Sequence, residues 1–140
     1  MSKFDYLREH LLEHSYHWLV TGAAGFIGSN LVEALLKLNQ QVTGLDNFST
    51  GYQHNLDQVK ELAGPKACAN FAFIRGDICT LGDCAKATKG VDFVLHEAAL
   101  GSVSRSIEDP IQANDTNVTG FLNMLVAARD AKVTRFVYAA

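Results

Sequence analysis

Trp18-Leu19-Val20-Thr21-Gly22-Ala23-Ala24-Gly25-Phe26-Ile27-Gly28 decides the fold. A short apolar run ends abruptly in a glycine turn, the pattern of a buried strand feeding a tight loop. A helix follows, with Ile27, Leu31, Ala34, Leu35 and Leu38 expected on its buried face. Each glycine has a physical task. Gly22 allows the sharp exit from the strand, Gly25 admits a diphosphate close to the backbone, and Gly28 lets helix and sheet pack tightly. The N–H groups of Phe26, Ile27 and Gly28, in the first helical turn, lack intrahelical partners. Together with the helix dipole they face an anion.

Asp46 ends a second strand, Val42–Leu45. An acid there accepts hydrogen bonds from both hydroxyls of an adenosine ribose and repels a 2′-phosphate, so the spacing favours NAD over NADP. The polar loop after it holds Asn47, Ser49, Thr50 and Gly51, which either contact the adenosine phosphate or are ordinary loop residues. A third strand, Phe71–Ile74, runs into Asp77-Ile78, where a carboxylate and an apolar surface suit an adenine. A fourth, Val91–Leu95, runs into His96-Glu97-Ala98-Ala99, and the small Ala98 and Ala99 leave room for a cofactor lying across the sheet edge. Loop chemistry is the rival explanation for these residues too.

Helices are expected over 3–14, after the glycine loop, over 53–63 (stopped by Gly64-Pro65), over 81–89, and over 111–130 with Val118, Phe121, Leu122, Leu125 and Val126 on the apolar side. The stretch from Ala99 to about Pro110 is expected to be a loop, and Phe136-Val137-Tyr138 a fifth strand. This β-α alternation implies a Rossmann-type α/β fold: a doubly wound parallel sheet of strand order 3-2-1-4-5 with right-handed crossovers. Residues 1–16 form an N-terminal helical extension and 17–140 the nucleotide-binding domain.

The 140 residues suit one domain, and 48% apolar with 19% charged residues permits a real core. A net charge of −3 with no basic stripe argues against a nucleic-acid partner. No apolar run is long enough to span a membrane, and the N-terminus lacks the apolar stretch of a secretory signal. The three cysteines, Cys68, Cys79 and Cys84, read as free thiols in a reducing cytoplasm. Cys79 and Cys84 have the spacing of a metal half-site, as do His10 and His14, but nothing nearby completes a ligand set, so no metal is expected.

Thr21–Asn30, Leu45–Gly51, Gly76-Asp77-Ile78 and His96-Glu97-Ala98-Ala99 resemble the extended short-chain dehydrogenase/reductase family. Within it they are most similar to NAD-dependent sugar-nucleotide epimerases. Asn117-Val118-Thr119-Gly120 resembles the family's Asn in the helix before the fifth strand. Ala99–Val103, with Arg105-Ser106-Ile107 and Asp109-Pro110, is similar to UDP-N-acetylglucosamine 4-epimerases of surface-polysaccharide synthesis, as is the N-terminal extension. That resemblance implies that Gly101, Ser102 and Val103 touch the sugar of a UDP-sugar substrate. It also implies a cytoplasmic homodimer and a reversible hydride transfer from the sugar C4 to tightly held NAD. Two residues depart from the pattern: Glu97 stands in place of Gln and adds a charge near the cofactor, and Ser104 stands in place of Pro and loosens a loop near the sugar.

The family's base is a Tyr followed four residues later by Lys. Tyr6, Tyr16 and Tyr52 are followed at that spacing by His10, Val20 and Leu56, and the chain ends before the position for Tyr138. No catalytic residue is therefore expected among these 140. The end at Ala139-Ala140, flush with a strand, is expected of a piece of a longer, inactive-by-itself enzyme chain. A stand-alone NAD-binding module and a dehydratase or decarboxylase of the same superfamily are the alternatives.

Overall fold

The computed structural model describes Met1–Ala140. Five parallel strands form one sheet in the order β3-β2-β1-β4-β5: β1 His17–Thr21, β2 Gln41–Asp46, β3 Phe71–Arg75, β4 Phe93–His96 and β5 Arg135–Tyr138. The expected order and parallel sense are those observed. β1 lies between β2 and β4, with Leu19 opposite Thr43 on one side and Val94 on the other. The chain winds outward from β1 in both directions, so the crevice between the β1 and β4 ends is the topological switch point of the sheet.

Alternation along the strands builds two cores. Leu19, Leu45 and Val94 point to one face and pack under α5 (Leu81–Thr88) and α8 (Phe121–Asp130), through Cys84, Ala87, Met124, Ala127 and Ala128. Val20 and Val42 point to the other face and pack under α2 (Phe26–Lys37) and α3 (Gln53–Ala63), through Val32, Leu35, Leu36 and Val59. Gly64, at φ +84°, ends α3, and Pro65 opens the one-turn α4 (Pro65–Cys68) at the position where its missing N–H costs nothing.

Two helix faces differ from expectation. In α2 the buried residues are Gly28, Ser29, Val32, Leu35 and Leu36, while Ile27 is 56% exposed. In α8 they are Met124, Ala127 and Ala128, while Leu122 and Leu125 are exposed, as is Val118 just before the helix. In both cases small residues share the buried face with a few larger ones, Gly28 and Ser29 with Val32, Leu35 and Leu36 in α2, and Ala127 and Ala128 with Met124 in α8. The expected loop before Pro110 contains a helix, α6 (Val103–Glu108), because the Ser102 hydroxyl caps it by accepting from the Arg105 N–H at 3.3 Å. Ser104 thus lies inside a helical turn, not in an open loop. The helix expected over 111–130 is interrupted: α7 (Pro110–Asn114) passes through a wide π turn, Asp115–Gly120, into α8.

The N-terminal α1 (Lys3–Glu13) starts in a capping box, with Ser2 and Asp5 bonding each other's backbone N–H. Gln40, fully buried, ties the segment down. Its Oε1 accepts from Tyr16 N–H at 2.9 Å and Trp18 Nε1 at 3.0 Å, and its Nε2 donates to the carbonyls of Leu11 and His14 at 2.7 and 3.1 Å. No helix is long and apolar enough to cross a membrane.

Candidate nucleotide-binding site

The carboxyl ends of β1, β2, β3 and β4 meet in a cleft. At its floor the glycine loop turns sharply. Gly22 has φ +68°, and a Cβ there would stand 2.9 Å from Ala98 N, so both the conformation and the space require glycine. A Cβ on Gly28 would stand 2.0 Å from the Gly22 carbonyl oxygen. The close approach of the loop to the start of α2 therefore depends on this position. Ser29 is the first helix residue whose N–H is bonded, to Gly25 O at 3.0 Å. The N–H groups of Phe26, Ile27 and Gly28 precede it and have no intrachain acceptor, which is the donor set an anion needs.

Asp46 holds this loop in place. Its Oδ2 accepts from Ala24 N–H at 2.9 Å and its Oδ1 from Phe48 N–H at 2.7 Å. A carboxylate offers about four acceptor sites, so two remain for a diol. Asp77, across the cleft, accepts from Asn47 Nδ2 at 3.0 Å and from Cys79 N–H at 2.8 Å. Burial works against its charge, but these bonds prevail and hold the carboxyl below its usual value. Asn47, Ser49, Thr50, Ile78, Ala98 and Ala99 line the same cleft, as does Glu97, whose charge was expected near the cofactor, together with Leu45, Gly76 and Thr116, which the sequence had not singled out.

Beyond Glu97-Ala98-Ala99 a second cleft opens over β4 and β5, lined also by His96, Asn117, Phe121 and Tyr138. The strand end between the clefts is fixed from β1. Thr21 Oγ1 accepts from the N–H groups of both Glu97 and Ala98 at 3.1 Å. Its acceptor sites thus filled, the hydroxyl donates to His96 Nδ1 at 2.7 Å, which places the imidazole proton on Nε2. Burial pushes the His96 pKa down to about 4, so the ring is neutral. Asn117 clamps the other side, accepting from Leu100 N–H at 2.8 Å and donating to Leu100 O at 2.9 Å. The π turn aims Thr116 at the first cleft and Asn117 at the second, the kind of re-aiming that wide turns supply at functional sites.

The remaining candidates lie apart from the clefts. Phe26 and Ile27 point outward, leaving only their backbone for a ligand. Gly51 packs on Ala24, where a Cβ would stand 2.8 Å from the Ala24 methyl. Gly101, Ser102 and Val103 are exposed at the start of α6 and border neither cleft. Cys84 is buried with its thiol pushed up to about 11, chiefly by burial, and donates to Ile78 O.

A profile of the NAD dependent epimerase/dehydratase family matches residues 18–140. The chain is 39% identical over 111 residues to a UDP-glucose 4-epimerase of Oryza sativa subsp. japonica, covering 78% of this chain and 30% of that protein. Among solved structures, a UDP-N-acetylglucosamine 4-epimerase from Methanobrevibacter ruminantium, in complex with UDP-N-acetylmuramic acid, superposes with a TM-score of 0.75 at 32% identity, over 87% of this chain and 36% of that one. A dTDP-glucose 4,6-dehydratase from Streptomyces venezuelae with bound NAD gives a TM-score of 0.75 at 38% identity, over 86% and 38%. The chain thus spans about a third of the length of such relatives.

Proposed function

Because the chain belongs to the NAD dependent epimerase/dehydratase family, we propose that it is the cofactor-holding part of a UDP-N-acetylhexosamine 4-epimerase. The observation that carries this is the pairing of three unpartnered N–H groups at the start of α2 with a backbone-anchored Asp46 on the adjacent strand. The first set suits a pyrophosphate. The second suits the adenosine ribose diol and disfavours a 2′-phosphate. Asp77 and Ile78 stand where the adenine would lie, and the second cleft suits the nicotinamide and the sugar. When bound, NAD supplies reversible hydride acceptance from the sugar C4.

The chain's own residues bind and orient. Thr21 and Asn117 fix the Glu97–Leu100 strand end from opposite sides, and the apolar rings of Phe121 and Tyr138 wall the second cleft. No Tyr in residues 1–140 is followed four residues later by Lys, so the proton-transfer base lies outside this part and the 140 residues alone are inactive. The choice of UDP-N-acetylhexosamine over other nucleotide sugars rests on the similarity of residues 99–110 to that subgroup. Residues 17–140 act as the nucleotide-binding domain, with 1–16 an extension fastened by Gln40. A cytoplasmic homodimer is part of the same proposal. Its contact would be the exposed stripe of Ile111, Val118, Leu122 and Leu125.

Isothermal titration with NAD and NADP tests the cofactor assignment. NAD is expected to bind and NADP to bind at least tenfold more weakly, and Asp46→Ala is expected to narrow that gap. Equal affinity for the two dinucleotides would overturn it.

A further inference from the structure

Glu97 is the one ionisable side chain that borders both clefts. Its backbone is fixed twice over. Its N–H is held by Thr21, and the Gly22 position lies against its carbonyl carbon, where a Cβ would come within 3.0 Å. Its carboxylate has neither a hydrogen bond nor an ion pair within the chain. The half-buried position raises its pKa through desolvation, as expected of an acid that lacks a partner. The second cleft contains no Lys or Arg, and His96 there is neutral with its Nδ1 already occupied by Thr21. A cationic ring entering that cleft would therefore find Glu97 as its single counter-charge.

The oxidised nicotinamide ring carries one positive charge and the reduced ring none, while the pyrophosphate charge is the same in both. We propose that Glu97 sets the balance between the oxidised and reduced dinucleotide, favouring NAD+ over NADH through the unpaired carboxylate at the junction of the two clefts. This rests on the cofactor assignment above. Repulsion between Glu97 and the pyrophosphate acts equally on both forms and cancels in the ratio of their dissociation constants. That ratio isolates the effect on the ring.

The test compares the 140-residue chain with Glu97→Gln and Glu97→Asp, titrating each with NAD+, NADH and ADP-ribose, which lacks the ring. Removing one charge at partly screened range is expected to lower the ratio of the NADH to the NAD+ dissociation constant on the order of tenfold in Glu97→Gln. NADH and ADP-ribose should shift together, and Glu97→Asp should keep most of the wild-type ratio. Because the ratio is taken within one protein, a loss of stability common to all ligands leaves it unmoved. Glu97→Ala provides the same comparison if the Gln variant does not fold. Equal shifts for all three ligands, or an unchanged ratio, would overturn the proposal while leaving the cofactor assignment standing. A wild-type chain that binds none of the three would overturn both.

Discussion

His96 makes stability fall in a defined pH window. The folded chain holds it neutral, with a pKa pushed down by burial to about 4 from the ordinary 6.5. Between those values the unfolded chain binds one more proton than the folded one, so stability is lost as pH falls from about 6.5 toward 4 and the loss levels off below. The full shift corresponds to about 3 kcal/mol, most of it expressed between pH 7 and 4.5, where about 2 kcal/mol is lost. The surroundings offer the charged ring no relief. Thr21 already donates to Nδ1, and the rings of Phe121 and Phe136 lie 5.4 and 5.8 Å away. Glu97 works in the opposite sense, since a raised carboxyl pKa gives back stability as pH falls. Asp77, whose carboxyl is held low, contributes a loss only below the usual carboxylate range. Comparison with His96→Asn separates these effects, because the Asn carbonyl can take the Thr21 proton and does not titrate. Urea unfolding at pH 7 and 4.5 should show the wild type losing roughly 2 kcal/mol more than the variant. Parallel losses in the two proteins would refute the assignment of a buried neutral imidazole.

Gln40→Ala should cost about 2–4 kcal/mol, since it strands the Trp18 indole N–H and the Tyr16 N–H. It should also speed amide exchange across residues 3–16 more than in the sheet. Gly28→Ala should destabilise by about 1–3 kcal/mol despite the better helix propensity of Ala, because the new Cβ meets backbone and not a movable side chain. Melting curves with and without NAD would show both the lower Tm and a lost ligand response. Leu122→Lys, on the exposed apolar stripe, should shift a dimer toward monomer in sedimentation velocity without lowering Tm.

The glycine loop, Asp46 and the strand order were legible because their signals are local: a turn that only glycine can make, an acid at a strand end, and apolar runs broken at regular intervals. The helix faces were misread in part: Leu35 is buried as expected, but the buried faces also include Gly28, Ser29, Ala127 and Ala128, whose small size gives periodicity little weight. Thr21 looked like the end of a strand. Its role depends on His96, which only the β1–β4 pairing brings alongside. Gln40 carries no signal in the sequence, since nothing in its neighbours reveals that five groups, from the N-terminal segment, β1 and its own turn, converge on one amide. The π turn at Asp115–Gly120 is composed of residues that an ordinary helix also accepts, so the aim of Thr116 and Asn117 became visible only in three dimensions.

A crystal structure of the chain grown with NAD tests the central claim most directly. The pyrophosphate should lie on the N–H groups of Phe26, Ile27 and Gly28, with both adenosine ribose hydroxyls on Asp46. A dinucleotide bound with its pyrophosphate away from the start of α2, or its ribose away from Asp46, would contradict it.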